Sequence, residues 1–535
     1  MSRIRSFLSA HGATLFSGAY LLLLLPFLGR NRLLGLDESI YANVALAAAR
    51  DGAWAPFLFE GKPFFEKPPL GIVLQALSIL VFGATEAAVR LPSLLAASGV
   101  LYLTWRLAAR FGRSEPAGLF AAGILALSEH FVLFSRVATL DMMLTLCLLG
   151  SWWELLKAYD PHHHEDTKAR RTSRPSTIDG PGWTQKACLL RAGLWVASGL
   201  LVKSFFALLF VLPALIAFHR CRVKAPAWRT TLLRLGLPSL AVLAIWFTTY
   251  GLVYGKPFFE WELGSNVVFR IVTGAVGRLF READVDFQSW QLYAEIAKNG
   301  LAFLWPLVPL GLAAWAKEAH SGLARRRADP ALLSGLFILL AWLFLIVVVM
   351  RPLINYMLPI VPLAALSLAA LWRKPPAFKV SLLFAAGGLL AFGNGLARHA
   401  HPGLVFTAAL ALAFLVLNRP DTKPHHWGRR LRIATAILLL GGSAWKLRTY
   451  LPEPPDPNAK WVAAVREHPA RAKGEVLLFY GNPVDGRTLR FYGDYDVRWT
   501  NVTPPERPKE AMLFEYNDVV HFLPAMDGIE AEGRR

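Results

Sequence analysis

Long apolar runs alternate with short polar loops along most of the chain, and this pattern predicts membrane-spanning helices. The clearest runs are Tyr20–Leu25, Leu200–Phe218, Leu332–Val349 and Leu363–Trp372. A helix needs roughly 20 mostly apolar residues to cross the hydrocarbon core of a bilayer. We therefore predict an all-α polytopic membrane protein with about thirteen transmembrane helices.

The predicted spans follow one another closely along the sequence. They lie at about residues 12–30, 88–107, 116–132 and 140–158, as two short spans within 188–219, at 232–252 and 300–316, in pairs that flank 351–356 and 399–401, and after residue 432. The middle of the 188–219 stretch is Lys203-Ser204, so we expect this dipeptide near the outer membrane face.

Two longer loops separate spans on the predicted outer side. The first loop, residues 31–88, contains the stretches 39–50 and 69–83, which have apolar faces and charged or turn-forming flanks. These features are typical of helices that lie in the membrane interface, although an extra pair of short spans would fit the same pattern. The second long loop covers residues 253–299.

The last part of the chain differs in character from the rest. Residues 452–535 are polar and begin with a proline-rich stretch. Their pattern predicts three strands and one short helix, at 475–480, 495–500, 512–516 and 485–492. We therefore predict a transmembrane domain over residues 1–451 and a small α/β domain outside the membrane over residues 452–535.

Composition and charge agree with a membrane protein. The chain is 55% hydrophobic, and its 57 Lys and Arg residues give a formal net charge of +20. Because most of these cations lie in short loops between apolar runs, the positive-inside rule explains the charge without nucleic-acid binding. Arg3 and Arg5 place the N-terminus in the cytoplasm, and an odd number of spans then places the C-terminus outside. The three cysteines form neither a metal-type spacing nor a disulfide framework.

Ten charged residues on the predicted outer face are not explained by topology. They are Asp37, Glu38, Glu66, Lys67, Arg90, Arg136, Asp141, Lys203, Arg270 and Arg351. Lys67 and Lys203 lie beside apolar runs, where an uncompensated ammonium group is expensive. We expect an anion to compensate them, and Asp37, Asp141 and a bound phosphate are the candidates.

The outer carboxylates are candidates for acid–base chemistry. A hydroxyl or amine acceptor needs a base as it attacks, and a carboxylate within hydrogen-bond reach supplies one. Asp37 fits this role, and it fits equally well as the cap of the helix predicted near Ser39. Glu38 is expected as a first-turn acid or as the partner of a nearby cation. Asp141 would supply a further carboxylate, or cap a helix.

Lys67 is a candidate for binding a phosphate group. It lies between Glu66 and Pro68-Pro69. Prolines remove backbone donors and stiffen a loop, and a point charge on a stiff loop suits a phosphate. The alternative is an interfacial lysine whose ammonium group reaches towards lipid headgroups.

The order of these motifs resembles the polytopic glycosyltransferases of the GT-C fold. It is similar in particular to the bacterial ArnT-like enzymes, which transfer aminoarabinose to lipid A and are relatives of the protein O-mannosyltransferases. The motifs that match are Asp37-Glu38, Gly52-X-Trp54, Phe65-Glu66-Lys67-Pro68, Val89-Arg90-Leu91-Pro92-Ser93, Ser135-Arg136-X-X-X-X-Asp141, Gly199-X-X-X-Lys203 and Asn355-Tyr356-Met357-Leu358-Pro359.

The resemblance implies an inverting glycosyltransferase. Its donor would be a sugar on a polyprenyl phosphate, undecaprenyl phosphate in a bacterium, and transfer would occur at the outer face of the inner membrane. The acceptor would be lipid A, another envelope glycan or a protein. Asp37 would match the essential acid of the family, and Lys67, with Arg90 or Lys203, would hold the donor phosphate. The residues expected to line the donor or acceptor cavity are Tyr41, Glu66, Arg136, Arg270, Arg351 and Tyr356.

The second outer loop departs from the family pattern. The resembling enzymes bind a metal through a histidine of that loop and the acid of the Glu-Lys-Pro motif. Here Trp261–Arg270 contains no histidine, and Asn266 is nearest. We therefore expect that no metal cofactor is required, with a divalent metal as the alternative. The alternatives from other classes are a transporter or flippase of lipid-linked sugars and a membrane assembly partner. Charges gathered at one face, without a visible repeat, favour the transferase over the transporter.

Overall fold

The structure is a computed structural model, and the chain divides into two compact units. Unit 1 contains residues 1–23, 95–135 and 140–451, and unit 2 contains residues 24–94, 136–139 and 452–535. The residues that the structure describes are 2–30, 32–33, 37–112, 114–159, 185–221, 228–263, 308–324, 329–344, 354–373, 459–468, 470, 475–480, 489, 491–492, 496–499, 511–516 and 519–523.

The described chain is mostly helical. Its helices are α1 (Ser2–Leu24), α2 (Asp37–Asp51), α3 (Pro69–Phe82), α4 (Glu86–Gly112), α5 (Glu115–Ala126), α6 (Glu129–Ser135), α7 (Asp141–Ala158), α8 (Gln185–Lys203), α9 (Leu208–Arg220), α10 (Leu237–Tyr254), α11 (Val308–Ala324), α12 (Pro330–Phe344), α13 (Ile360–Arg373) and α14 (Ala459–Glu467). Shorter helical segments cover Leu25–Phe27, Ser204–Ala207, Trp228–Thr231, Leu232–Gly236, Lys256–Phe259 and Ile354–Met357; the segments from Trp228 to Gly236 lead without a gap into α10.

A helix is present at each predicted span whose residues are described. By length and apolar character, the described helices that could cross a membrane are Glu86–Gly112, Gln185–Ala207 and Trp228–Tyr254. The α5–α6 pair, bent by 71°, makes a fourth if it is one span. The total of thirteen spans stays a prediction, and the predicted spans beyond residue 373 lie outside the described residues.

Unit 1 is held together by close packing of its helices. Trp152 of α7 donates a hydrogen bond of 2.9 Å to Ser334 of α12, and its ring lies 5.7 Å from that of Phe111. A methyl group added at Gly335 would overlap the Trp315 ring. This close approach requires glycine, because packed interiors leave no room for extra atoms.

The backbone leaves the helical conformation at Lys203, with φ −150° and ψ 44°, where the sequence predicts a turn. The two short spans predicted within 188–219 stay a prediction. Helix α8 ends at Lys203, and the turn Ser204–Ala207 leads into α9. Ser204 adopts a left-handed φ of 57°, which is uncommon for a residue with a side chain. The surrounding contacts must therefore hold this backbone conformation.

In unit 2, the first loop contains the two helices predicted from its apolar faces, α2 and α3. Pro69 begins α3, where a missing backbone N–H costs nothing. Gly83 ends the helix with a φ of 81°, a value at which glycine is not strained. The Thr85 hydroxyl then accepts the N–H of Ala88 at 3.1 Å and caps α4. The location of both helices in a membrane interface stays a prediction.

The C-terminal part of unit 2 contains a four-stranded sheet. Its strands are β3 (Val476–Tyr480), β4 (Asp496–Trp499), β5 (Ala511–Tyr516) and β6 (Val519–Leu523), while β1 (Leu58–Phe59) and β2 (Lys62–Pro63) form a separate hairpin. The order is β4-β3-β5-β6; β3 is parallel to β4 and β5, and β6 is antiparallel to β5. The three predicted strands are confirmed, and β6 was not predicted.

A small apolar core lies beside this sheet. It contains Trp461, Val462 and Val465 of α14, together with Leu477 and Leu489. Residues 489, 491 and 492 are helical, as predicted, and the rest of that helix lies outside the described residues. The predicted domain boundary at residue 452 stays a prediction, since unit 2 contains residues 24–94 as well as 452–535.

Candidate functional site

Helix α2 begins with the two predicted acids, which have different environments. Asp37 is the first residue of the helix and is half-buried. Its carboxylate makes no hydrogen bond or ion pair within the described part of the chain. Glu38 is only 1% exposed and pairs with Arg90. The Glu38 side chain is therefore fixed, whereas the Asp37 carboxylate reaches solvent beside it.

The guanidinium group of Arg90 lies at the centre of a buried network. It donates to both Glu38 oxygens, at 2.7 and 3.1 Å. It also donates to the carbonyl oxygens of Leu28, at 2.8 Å, and Arg32, at 2.7 Å. A buried guanidinium whose charge is balanced by Glu38 suits a structural role, because it holds neighbouring segments of the chain together. The structure therefore gives Arg90 and Glu38 structural partners. The phosphate-binding role predicted for Arg90 and the acid–base role predicted for Glu38 stay predictions.

The segment 136–139, which contains Arg136, is attached to the same network. The Ala138 N–H donates to Glu38 at 2.8 Å, and the Ala138 carbonyl accepts from Gln75 at 2.9 Å. Ser93 donates to the Thr139 carbonyl at 3.2 Å. Glu38 thus joins α2, α4 and this turn, and its predicted role as the partner of a nearby cation is confirmed.

The predicted phosphate holder Lys67 lies just before α3. Its side chain is half-buried, and the ammonium group donates to the Glu66 carbonyl at 3.4 Å. The Glu66 side chain is exposed, and Tyr41 is buried in unit 2. The backbone at Lys67 is restricted by Pro68, which precedes α3 with φ −60° and ψ 157°.

Unit 1 contains a second charged cluster, which we name the α7 cluster: Asp141, Lys203, Asn355 and Tyr356. The Lys203 ammonium donates to Asp141 at 2.5 Å, and both side chains are buried. Asn355 donates to the other Asp141 oxygen at 3.1 Å. Of the anions that we considered as partners of Lys203, Asp141 is therefore the one that pairs with it in the structure. The helix cap before α7 is Leu140, so Asp141 is not the capping residue.

Aromatic side chains surround the ammonium group of this cluster. Lys203 lies 4.8 Å from the Tyr356 ring centroid, within the range of a cation–π interaction. The ring of Phe206 stacks on Tyr356 at 6.1 Å, and Trp342 donates to the Tyr356 carbonyl at 2.9 Å. Tyr356, predicted to line the cavity, is thus a direct neighbour of Lys203.

Sequence reasoning missed Glu262, which holds the break after Lys203. Glu262 is fully buried, and its carboxylate accepts a hydrogen bond of 2.5 Å from the Ser204 hydroxyl. The available signal was an acid among aromatic residues in the predicted second outer loop, ten residues after the predicted span 232–252. This contact helps to explain how Ser204 keeps its unusual backbone conformation.

Two of the residues predicted to line the cavity, Arg270 and Arg351, lie outside the described residues. Among the residues with described positions, no three His, Cys, Asp or Glu side chains lie close enough together to hold a metal ion.

Both the sequence and the fold of the chain are similar to known proteins. A family model described as dolichyl-phosphate-mannose-protein mannosyltransferase matches residues 66–168. The undecaprenyl phosphate-alpha-4-amino-4-deoxy-L-arabinose arabinosyl transferase of Pseudomonas aeruginosa strain LESB58 is 29% identical over 72% of this chain. The enzyme of the same name from Pseudomonas savastanoi pv. phaseolicola is 31% identical over 44% of this chain and 39% of its own length. The chain spans 62% of the length of the Pseudomonas aeruginosa relative.

The solved structures that match are more distant in sequence but cover more of the chain. The crystal structure of ArnT from Cupriavidus metallidurans bound to undecaprenyl phosphate has a TM-score of 0.64 and 18% identity, and covers 92% of this chain and 86% of that one. Its apo state has a TM-score of 0.60 and 17% identity, with the same coverage. The chain therefore has the GT-C membrane fold of the ArnT structures, and its sequence is ArnT-like over most of its length.

Proposed function

We propose that this protein is a glycosyltransferase that uses a sugar on a polyprenyl phosphate as its donor. The acceptor would be lipid A or another glycan of the cell envelope, reached at the outer face of the bacterial inner membrane. The names of the Pseudomonas relatives support an undecaprenyl phosphate donor that carries an amino-deoxy pentose. The alternative is a protein acceptor, which the description of the family model as a protein mannosyltransferase favours.

The main support within the molecule is the start of α2. Glu38 is locked by Arg90, by the Ala138 N–H and by burial. The backbone of its neighbour Asp37 is therefore held in place, while the Asp37 carboxylate stays half-exposed. A fixed, accessible carboxylate is the arrangement that a general base requires.

The proposed step is a direct displacement at the anomeric carbon of the sugar. An acceptor hydroxyl or amine attacks this carbon and forms the new bond, while the bond from the carbon to the phosphate oxygen breaks. The acceptor's proton moves to the Asp37 carboxylate, and the bond's electron pair leaves with the polyprenyl phosphate. Attack from the side opposite the leaving group inverts the configuration at the carbon.

The leaving group gains negative charge in this step and needs a cation. Lys67 is the best candidate in unit 2, because Pro68 restricts its backbone and Arg90 is already paired with Glu38. A charge-assisted hydrogen bond to phosphate is stronger than a neutral one. We assign Lys203 and Asp141 a supporting role in unit 1. They form an ion pair without net charge, and the Lys203 ammonium group holds the Tyr356 ring by a cation–π contact.

The base is tested with Asp37→Asn in the purified full chain. Turnover of a labelled undecaprenyl phosphate-aminoarabinose donor on lipid A should fall about 10²–10⁴-fold, the usual contribution of a general base. Asp51→Asn is the matched control, since it changes the same side chain at the exposed, opposite end of α2. Unchanged turnover in Asp37→Asn would remove Asp37 from the mechanism.

The phosphate contact is tested with Lys67→Gln. The KM for the donor should rise about 10–100-fold, the equivalent of one lost hydrogen bond to a charged group. Lys62→Gln, an exposed lysine on β2, should leave the donor KM unchanged. If both variants behave alike, Lys67 does not contact the phosphate.

The sugar and acceptor are tested in cells. Mass spectrometry of envelope lipids, glycans and glycoproteins from a deletion strain should show one sugar missing from one acceptor, restored by the wild-type chain and not by Asp37→Asn. If Asp37→Asn restores the sugar as fully as the wild-type chain does, a transporter of lipid-linked sugars explains the result better.

A further inference from the structure

Unit 2 contains a second ionic network, formed by residues that the proposed mechanism does not use. Glu86, at the start of α4, is buried with 8% of its side chain exposed. Its carboxylate accepts from Arg32 at 3.0 Å and from Arg466 of α14 at 3.2 Å. One buried carboxylate therefore links two cations that are more than 400 residues apart in sequence.

Tyr492 completes this network. The Arg32 and Arg466 guanidinium carbons lie 5.8 and 4.8 Å from its ring centroid, within the range of cation–π contacts. Its hydroxyl oxygen accepts the backbone N–H of Leu33 at 3.0 Å. The C-terminal part of the chain thus binds both side chain and backbone of residues 32–33.

The protonation state of Tyr492 suits this contact. Burial, and then the negative charge of Glu86, raise the pKa of the Tyr492 hydroxyl above its usual range. The group is therefore neutral throughout the physiological range, and it brings no second negative charge next to Glu86.

Residues 32–33 are also held from the side of the α2 cluster, which consists of Asp37, Glu38 and Arg90. The Arg32 carbonyl accepts a hydrogen bond of 2.7 Å from Arg90, and Arg90 pairs with Glu38. Only three residues, 34–36, separate Leu33 from Asp37 in the sequence. Any displacement of residues 32–33 would therefore act on the backbone that leads directly into α2.

We propose that the C-terminal segment positions the candidate base: Tyr492 holds residues 32–33 directly, and Arg466 supports this contact through Glu86 and the Tyr492 ring, so that α2 presents Asp37 in its reactive location. This inference rests on the proposed function for its effect on catalysis. Tyr492 and Arg466 are positioning residues: Tyr492 contacts residues 32–33 directly, Arg466 contacts Glu86 and the Tyr492 ring, and neither contacts a reacting atom. The inference also gives the C-terminal domain a task in the reaction.

The first test is Tyr492→Phe, which keeps the ring between the two arginines and removes only the hydroxyl. We expect kcat to fall about 3–10-fold, the equivalent of one hydrogen bond, while the donor KM stays within twofold because Lys67 is untouched. Backbone amide exchange by mass spectrometry should become faster in peptides covering residues 32–51. Tyr102→Phe is the matched control, since Tyr102 packs among apolar side chains of unit 1.

The second test separates positioning from general destabilisation. In Asp37→Asn, the residual turnover should be the same with and without Tyr492→Phe, because the hydroxyl acts through Asp37. A loss of folded protein would instead lower both backgrounds equally. Arg466→Lys, which keeps the cation near Glu86, should retain more kcat than Arg466→Met.

The two readouts also separate this inference from the proposed function. Unchanged amide exchange in Tyr492→Phe would overturn the contact itself. Faster exchange with unchanged kcat would overturn the positioning role. If the wild-type chain transfers no sugar from any polyprenyl phosphate donor, the proposed function fails, and faster exchange then supports only the link between the C-terminal segment and residues 32–33.

Discussion

Replacing Arg90 while Glu38 remains should strongly destabilise the protein. The pair is almost fully buried, with 3% of the Arg90 side chain and 1% of the Glu38 side chain exposed. Removing one partner of a buried pair leaves an uncompensated charge, which costs about 3–5 kcal/mol. The carbonyls of Leu28 and Arg32 also lose their donors, so we expect a total near or above about 5 kcal/mol for Arg90→Met.

This cost can be measured by unfolding the purified protein in mixtures of dodecyl sulfate and a mild detergent, followed by tryptophan fluorescence. The matched control is Arg50→Met, since Arg50 pairs with Asp51 at 3.1 Å with 41% of its side chain exposed. Exposed pairs contribute about 0–1 kcal/mol. The double variant Glu38→Leu with Arg90→Met should be more stable than Arg90→Met alone, because no buried charge remains. If Arg90→Met is no less stable than Arg50→Met, the structural role of this pair is wrong.

Three further predictions concern other parts of the structure. Lys203→Met should destabilise the protein by about 3–5 kcal/mol, since it leaves Asp141 buried without its cation, and detergent unfolding would measure the loss. Gly335→Ala should cost about 1–3 kcal/mol, because the added methyl group would overlap Trp315; the same assay applies. Tyr492→Phe should reduce the loss of stability above about pH 10. The raised pKa of Tyr492 means that its contribution is complete below that pH and is lost as the pH rises towards the higher folded value.

Each of these predictions has a control in the chain. Lys256→Met removes an ion pair with Glu260 and should change stability little, because the Lys256 side chain is 85% exposed and the Glu260 side chain 63%. Gly236→Ala should be tolerated, because nothing lies within 4 Å of the added carbon. For Tyr492→Phe, the wild-type chain is the control at alkaline pH. If a control variant loses as much stability as the variant it is compared with, the reasoning behind that prediction is wrong.

The helices could be predicted from sequence because their signals are local. The apolar faces of 39–50 and 69–83 anticipated α2 and α3, and the apolar stretch 188–219 with Lys203-Ser204 at its centre anticipated the break after α8. The strand signals near residues 475 and 512 were local as well. The order of the sheet and the presence of β6 depend on which strands pair, and no local pattern specifies that.

The partners of the charged residues were harder to predict. Glu38 was expected to pair with a nearby cation, but Arg90 lies 52 residues further along the chain, and only the fold brings the two together. The same holds for Arg466 and Glu86, which are 380 residues apart. A charge near a membrane face has the same appearance in sequence whether it meets a substrate or another side chain. Burial distinguishes the two cases, and burial requires the structure.

The two charges of the Asp141–Lys203 ion pair lie at the helix ends that favour them. Asp141 lies in the first turn of α7, and Lys203 is the last residue of α8. The N-terminus of a helix favours a negative charge and its C-terminus a positive one. Each partner is therefore stabilised by its own helix as well as by the other side chain. Exchanging the two residues would keep their mutual attraction but place both charges at unfavourable helix ends. The backbone of unit 1 thus determines which side of this pair is acidic and which is basic.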